Sequence, residues 1–600
     1  MGAHLQARRR EVGARAVAAT NDEGRRVVGV LPDVPAIDKV FDYLVPPAID
    51  ADVRVGSIVR IELHGRRVGG WVVHEGAAAP PERELRPIAK VTGWGPPPDV
   101  LALAAWAAWR WAGRRASLLG TASPPGAVRG LPAPPASLPP PVPAVVGAEL
   151  EGLIASAFRT PEPRVLRLPP SVDPFPVVAA SVGRGPSLVL FASNADAART
   201  AHRLVRGGAA VALHPTEWAT ARAGGVSVVG ARAAAWAPMP DLAAVVVVDA
   251  HDETYQEERA PTWHARDVAV ERGRRHGVPV ILISACPDLA MADAAAETLA
   301  PSRNAERSGW PAVDVVDRRG DDPRSGLFGE KLAEALRRAD RAVCVLNRKG
   351  RARLLACAAC GELARCERCE AAVVLDDETL ACGRCGEVRP PVCASCGGTR
   401  LKALRLGVSR AREELAALTG REVGEVTAET DEVPDVPILV GTEAVLHRSG
   451  RADLVAFLDF DQELLATRYR AGEQALALLA RAGRIVGGRR AGGRVLVQTR
   501  VPEHEVLAAA VHGDPDRLAV PERERRAALG FPPFRALAHV SGPAAPDLVE
   551  RLDGSPLELL GAGDGTWLLR APDHATLADA LAAAGRPPGR LRIEVDPLRI

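Results

Sequence analysis

Between Val27 and Gly95, apolar and polar positions alternate two by two, in VVGVLP, FDYLVP, SIVRIEL and GGWVVHE, with turn-forming residues between the runs. That period belongs to strands with one buried face, so a small β domain is predicted over 27–97. From 99 to 114, DVLALAAWAAWRWAGR has the period of a single amphipathic helix, and its three tryptophans are assigned to packing. Nine prolines follow within 124–143, which no helix or central strand tolerates, so 98–164 reads as a Trp helix and an extended linker.

Beyond the linker the pattern changes kind. SLVLFAS, GVSVVGA, AAVVVVDA and VPVILISA are continuous apolar runs, separated by helical stretches such as NADAARTAHRLV and residues 262–277. Strands buried on both faces read this way, which predicts βαβ units and a parallel sheet over 165–305. RAVCVL, VPILVG, DLVAFLD and RVLVQT repeat the rhythm within 306–500, interrupted by a cysteine-rich insertion at 357–396. Residues 501–600 read as a C-terminal α+β domain. The first 26 residues hold six arginines against three acids and read as a loose basic tail.

Composition changes this picture little. At 600 residues, 47% hydrophobic and with a net charge of +2, the chain is a folded multidomain protein whose charge dictates no partner. Only five of its 76 basic residues are lysines (Lys39, Lys90, Lys331, Lys349, Lys402). There is no apolar leader and no stretch of membrane-spanning length, so a cytoplasmic location without membrane association is expected.

Eight of the ten cysteines form four C-x₂-C pairs between 357 and 396. Two such pairs close one tetrahedral zinc site, so two Zn²⁺ per chain are predicted. Cys366, Cys369, Cys382 and Cys385 would make an inner site around a hairpin-like segment. Cys357, Cys360, Cys393 and Cys396 would make an outer one. Spacing alone leaves other pairings open.

The run VVVVDAHDETY at 245–255 delivers acids to a strand end, where nucleotide hydrolases hold Mg²⁺. The complementary phosphate loop requires Gly-Lys-Ser/Thr, and no lysine here is preceded by Gly and followed by Ser or Thr.

Taken together, FDYLVP at 41–46, HDETY and WHARD at 251–267, the eight-cysteine insertion between LNRKGRARLLAC and LKALRLGVSRAREEL, ILVGTEAVL at 438–446, GFPPF at 530–534 and the terminal VDP resemble the PriA family of replication-restart DNA helicases. The resemblance runs from Val27 to Pro597. It implies two RecA-like helicase lobes carrying a two-zinc insertion, flanked by an N-terminal small β domain and a C-terminal α+β domain. It also implies a pocket for the 3′ end of a DNA strand formed by Phe41, Asp42, Gly65 and Arg86, and it implies ATP with Mg²⁺ as a cofactor.

The chain departs from the family at the motor. The phosphate loop is expected where the chain reads FPVVAASVGRGPSLVLF, with Gly183 and Gly185 but no lysine. Aligning His251 and Asp252 puts Val248 at the metal-binding acid and Asp249 at the catalytic one. The family's arginines near the end of lobe two fall on Ile485 and Gly488, leaving Arg481 and Arg484 as displaced basic residues. Asp249, His251, Arg481 and Arg484 are therefore read as remnants, with no catalytic residue assigned. The winged-helix domain expected after the β domain is reduced to the Trp helix and linker.

The expectation is thus a replication-restart factor without ATP-driven unwinding. It would recognise forked and single-stranded DNA and engage primosome proteins, the replicative helicase and single-stranded DNA-binding protein. The alternatives are an ATP-dependent 3′→5′ DNA helicase with a divergent nucleotide site and a two-zinc RNA-binding or transcription-associated protein.

Overall fold

The computed structural model describes residues 26–76, 85–135, 147–321, 328–347, 355–376, 379–403, 408–427, 429–430, 432–561 and 565–600. The basic tail up to Arg25, the end of the proline-rich linker and Lys349 lie outside the described residues.

The alternating N-terminal segments form a five-stranded antiparallel sheet in the order Phe41–Leu44, Val27–Pro32, Arg66–Glu75, Ser57–Leu63, Lys90–Trp94. Its two edges approach each other, because Leu44 N donates to Arg86 O and Ile88 N to Leu44 O. The Trp-rich stretch forms the one expected helix, and a second helix follows it in the segment read as linker. Pro98–Arg110 ends where Ala112 takes φ +46°, and Arg115–Ala122 follows. Trp111 is buried, and Trp109 Nε1 donates to Asp579 Oδ1 of the C-terminal domain at 2.9 Å.

Two α/β units follow, in the segments expected to form the two helicase lobes. Lobe one is a seven-stranded sheet, in the order Glu297–Leu299, Arg164–Arg167, Val280–Ser284, Ala244–Val247, Ser187–Leu190, Ser227–Gly230, Val211–Leu213. Lobe two has six strands, in the order Ala312–Asp317, Arg494–Thr499, Leu454–Phe457, Ala342–Val345, Ile438–Gly441, Val423–Val426. Every pairing in both is parallel. Central strands such as Ala244–Val247 and Ile438–Gly441 are buried at every position, which is why their sequences run apolar without alternation.

The cysteine-rich insertion forms two small antiparallel sheets, Leu355–Cys357 with Leu401–Ala403, and Val373–Asp376, Thr379–Cys382, Val388–Arg389. The C-terminal domain is a four-stranded antiparallel sheet covered by the helices Ala545–Arg551 and His574–Ala584. Among the described residues no helix is long and apolar enough to cross a membrane.

Candidate nucleotide cleft, metal centres and DNA-end pocket

In a parallel α/β sheet, ligands bind beyond the carboxyl ends of the strands. In lobe one that edge carries the loop after Arg164–Arg167, which leads into the helix Phe175–Val182. Strand, loop and helix N-terminus are the parts of a phosphate cradle. The cradle position is therefore 168–174, LPPSVDP, and the expected location at 175–191 is corrected. FPVVAASV is the helix itself, and Gly183 and Gly185 lie at its far end, away from the cleft.

This loop lacks what a phosphate needs. Pro169, Pro170, Pro174 and Pro176 have no N–H to donate. The Phe175 N–H is taken by Asp173 Oδ1 at 2.9 Å, and that carboxylate also pairs with Arg203. The N–H groups of Leu168, Ser171, Val172, Val177 and Val178 all donate to backbone carbonyls. An anion would meet the Asp173 carboxylate at a helix start, with most of the surrounding N–H groups already engaged.

The opposite wall is the helix Ala471–Val486 of lobe two, and it closes on the loop directly. A Cβ on Gly483 would stand 3.2 Å from Pro170, and one on Gly488 only 2.8 Å from Ser171 Oγ and 2.6 Å from Ser308 O. The family's arginine position at Gly488 thus abuts the phosphate-loop position, and no side chain fits there. Ile485, the other such position, is buried in the core.

The remnant acids and arginines find one another across this junction. Arg484 Nη2 donates to Asp249 Oδ1 at 2.7 Å, and Arg481 donates to Asp252 Oδ2. Gln474 Nε2 reaches Glu253 Oε2 at 2.9 Å, and the Leu289 N–H donates to Glu473 at 2.8 Å. Positions 474, 481 and 484 follow helical spacing, so one stripe of the helix bonds to lobe one. Asp249 itself has φ +53°, a left-handed conformation that costs a non-glycine residue about 1–2 kcal/mol. Burial alone would raise the Asp252 carboxyl. The Arg481 guanidinium, His447 and the Thr254 N–H and hydroxyl together outweigh that and hold it well below the usual carboxylate range. His251 bonds Ser284 Oγ through Nδ1 at 2.8 Å, and burial lowers its pKa against the opposing pull of Asp249. Val248, just past the strand Ala244–Val247, is apolar and buried.

In the insertion, Cys357, Cys360, Cys393 and Cys396 converge on one point, and Cys366, Cys369, Cys382 and Cys385 on another. The Sγ···Sγ distances Cys357–Cys396 and Cys360–Cys393 are 3.6 Å, and Cys366–Cys385 and Cys369–Cys382 are 3.5 Å. A tetrahedron with Zn–S bonds of about 2.3 Å has edges of about 3.8 Å, so both tetrads fit zinc with slight relaxation. The pairing is the nested one. Each C-x₂-C turn closes through a bond from the residue after it to the first cysteine's carbonyl: Gly361, Glu370, Gly386 and Gly397. All four have φ between +59° and +76°, and Glu370 alone among them carries a side chain. Glu370→Gly is expected to stabilise the inner site by about 1 kcal/mol, relieving left-handed strain against a smaller entropic cost. A urea midpoint for the zinc-saturated module that does not rise would contradict this.

Of the DNA-end residues, Phe41 and Tyr43 share the inner face of their strand, while Asp42 points to the exposed one. Tyr43 Oη donates to Glu62 O at 2.9 Å, and the Glu62 carboxylate pairs with Arg86. Gly65, at φ +75° with open space where a Cβ would be, forms the turn three residues beyond Glu62. Edge strand, turn and Arg86 therefore occupy one end of the sheet. Glu62, which sequence reasoning missed, competes with any phosphate for Arg86.

A family model for the 3′ DNA-binding domain of PriA matches residues 29–124, a span that includes the Trp helices. The Replication restart protein PriA of Thermotoga maritima is 31% identical over 352 residues, 54% of this chain and 47% of that protein. The Bacillus subtilis protein of that name is 28% identical over 345 residues, 52% of this chain and 43% of its own length. The Probable replication restart protein PriA of Mycobacterium tuberculosis is 29% identical over 621 residues, 93% of this chain and 90% of that protein. The matched part spans about half the length of the first two relatives and most of the third.

Proposed function

We propose that the chain is a member of the PriA replication-restart family and acts in replication restart as a DNA-binding scaffold whose lobes do not hydrolyse ATP. The supporting observation is the junction between the lobes. Prolines and Asp173 occupy the phosphate-loop position, and the remnant acids are neutralised by Arg481 and Arg484. Phosphoryl transfer depends on cations and Mg²⁺ placed around the transferred group, and the residues present do not fit ATP with Mg²⁺.

In this reading the N-terminal sheet holds the 3′ end of a strand at an abandoned fork. Phe41 stacks on the terminal base, Asp42 accepts from the 3′-OH, Gly65 admits the backbone, and Arg86 exchanges Glu62 for phosphate. The zinc module and lobe surfaces then serve as docking sites for primosome proteins, single-stranded DNA-binding protein and the replicative helicase. The competing reading is an ATP-dependent 3′→5′ helicase, which the retained two-lobe architecture favours.

Two measurements separate the readings. The purified protein is expected to show no forked-DNA-stimulated ATP hydrolysis; turnover that Asp249→Asn abolishes would establish the helicase reading instead. Forks ending in 3′-OH are expected to bind several-fold tighter than those ending in 3′-phosphate, and Asp42→Asn to erase the difference. Equal binding by the unaltered protein would remove Asp42 from end recognition.

A further inference from the structure

On the N-terminal domain, at the edge formed by Lys90–Trp94, lies a cavity of about 330 Å³ lined by Arg54, Lys90, Trp94, Arg129 and Asp52, among others. The segment after the Trp helices builds one wall. Trp94 N donates to Val128 O at 2.8 Å, and Gly93 permits the approach, since a Cβ there would lie 2.4 Å from that carbonyl. The Arg54 guanidinium stands 4.2 Å from the Trp94 ring centroid and that of Arg222 5.1 Å, so the indole is held between cations.

Several arginines of this domain are matched to carboxylates, as in Arg26 with Glu75, Arg115 with Asp38 and Arg86 with Glu62. Arg54, Lys90 and Arg129 make no ion pair with any described residue, and Asp52 is the one acid lining the cavity. Exposed cations converging on a concave surface beside an aromatic ring are suited to a phosphodiester. Lys90 is also among the few lysines of an arginine-rich chain. The cavity connects to the proposed end pocket through a single segment, since Arg86 and Trp94 are eight residues apart, at most about 26 Å in extended chain.

We propose that the cavity bounded by Arg54, Lys90, Trp94 and Arg129 binds backbone phosphate of the DNA strand, as a second subsite remote from the 3′ terminus. This rests on the reading of the N-terminal domain as a DNA-end binder and extends it. The strand crosses the sheet from the end pocket to the cavity, where Lys90 and Arg129 neutralise phosphate and displace condensed counterions.

The test is the salt dependence of fork binding by the full-length chain, read by fluorescence anisotropy. Lys90→Ala combined with Arg129→Ala is expected to weaken binding about tenfold near 100 mM salt. The slope of log affinity against log salt should fall by about 1 to 2, as one or two phosphate contacts are lost. The effect should be the same for 3′-OH and 3′-phosphate forks, and Lys90→Arg should retain the unaltered slope. An unchanged slope in the double variant overturns the subsite while leaving fork binding intact. Failure of the unaltered protein to bind forks would instead overturn the DNA-end reading. Inorganic phosphate or a mononucleotide that competes as effectively as a DNA strand would mark a small phosphate ligand and overturn the strand assignment. Lys90 and Arg129 are exposed and unpaired, so the variants should melt at the same temperature as the unaltered protein. A lowered melting temperature would assign these residues a structural role instead.

Discussion

Cys382→Ser is expected to lower the metal content from two zinc ions per chain to one and to unfold the three-stranded sheet at its centre. The inner tetrad is not an accessory to a core; it is much of the core. The cluster around it consists of Leu355, Ala364, Ala371, Val373 and Leu380 together with Cys366, Cys369 and Cys382. So few apolar side chains cannot offset the entropy of ordering the segment, and a structural zinc site contributes on the order of 10–16 kcal/mol at neutral pH. Loss should spread to the junction with lobe two, where the Ala372 N–H donates to Leu465 O and Arg384 Nη2 to Ala466 O. Cys396→Ser should also remove one zinc, but Cys360 and Cys396 are exposed at the outer site, so the inner sheet and its docking should survive. Metal analysis with hydrogen exchange across 371–389 distinguishes the two. Retention of both metals in the Cys382 variant would refute the nested assignment.

Arg481→Ala should be the most destabilising single change in the interlobe junction, at about 3–5 kcal/mol, because it strands the Asp252 carboxylate in a buried site. Asp252→Asn in the same background should recover part of the loss, since an amide is less costly to bury than an unpaired charge. Arg484→Ala should cost less, because the Arg484 side chain is 34% exposed against 14% for Arg481. The pH dependence has a definite sign. The folded Asp252 carboxyl lies well below its unfolded value near 4, so the pair's contribution is complete above about pH 5 and is lost as pH falls through the acid range. Urea unfolding of lobe one, followed from pH 7 to pH 3, should show this loss in the unaltered protein and not in the Arg481→Ala variant. Equal stabilities for the two arginine variants would contradict the picture.

Much of the architecture was legible because its signals are local. Valine-rich runs gave the central strands, and C-x₂-C spacing gave the eight metal-ligand candidates, though not which pairs share a site. Elements whose burial depends on distant partners were not. Arg164–Arg167 reads RVLR, and its polar ends hide a fully buried strand, because Arg167 is satisfied by Glu306 and Asp516. Searching for glycines placed the phosphate loop within 175–191; the strand-to-helix loop at 168–174 is marked by prolines, which no glycine pattern finds. The ion pairs that close the cleft join residues 229 and 235 positions apart, beyond any periodicity. The pairing of Arg86 with Glu62 depends on how the sheet edges meet, which spacing does not reveal.

Arg481 and Arg484, clasped to Asp252 and Asp249, bear on how long a complex persists. Motor proteins spend nucleotide to release what they hold, so their residence on a substrate is timed by chemistry. In the proposed reading, where carboxylates and guanidinium groups have satisfied one another, no such clock would run. A bound fork would depart at its own dissociation rate, sensitive to ionic strength and indifferent to ATP, or be dislodged by the next protein to arrive.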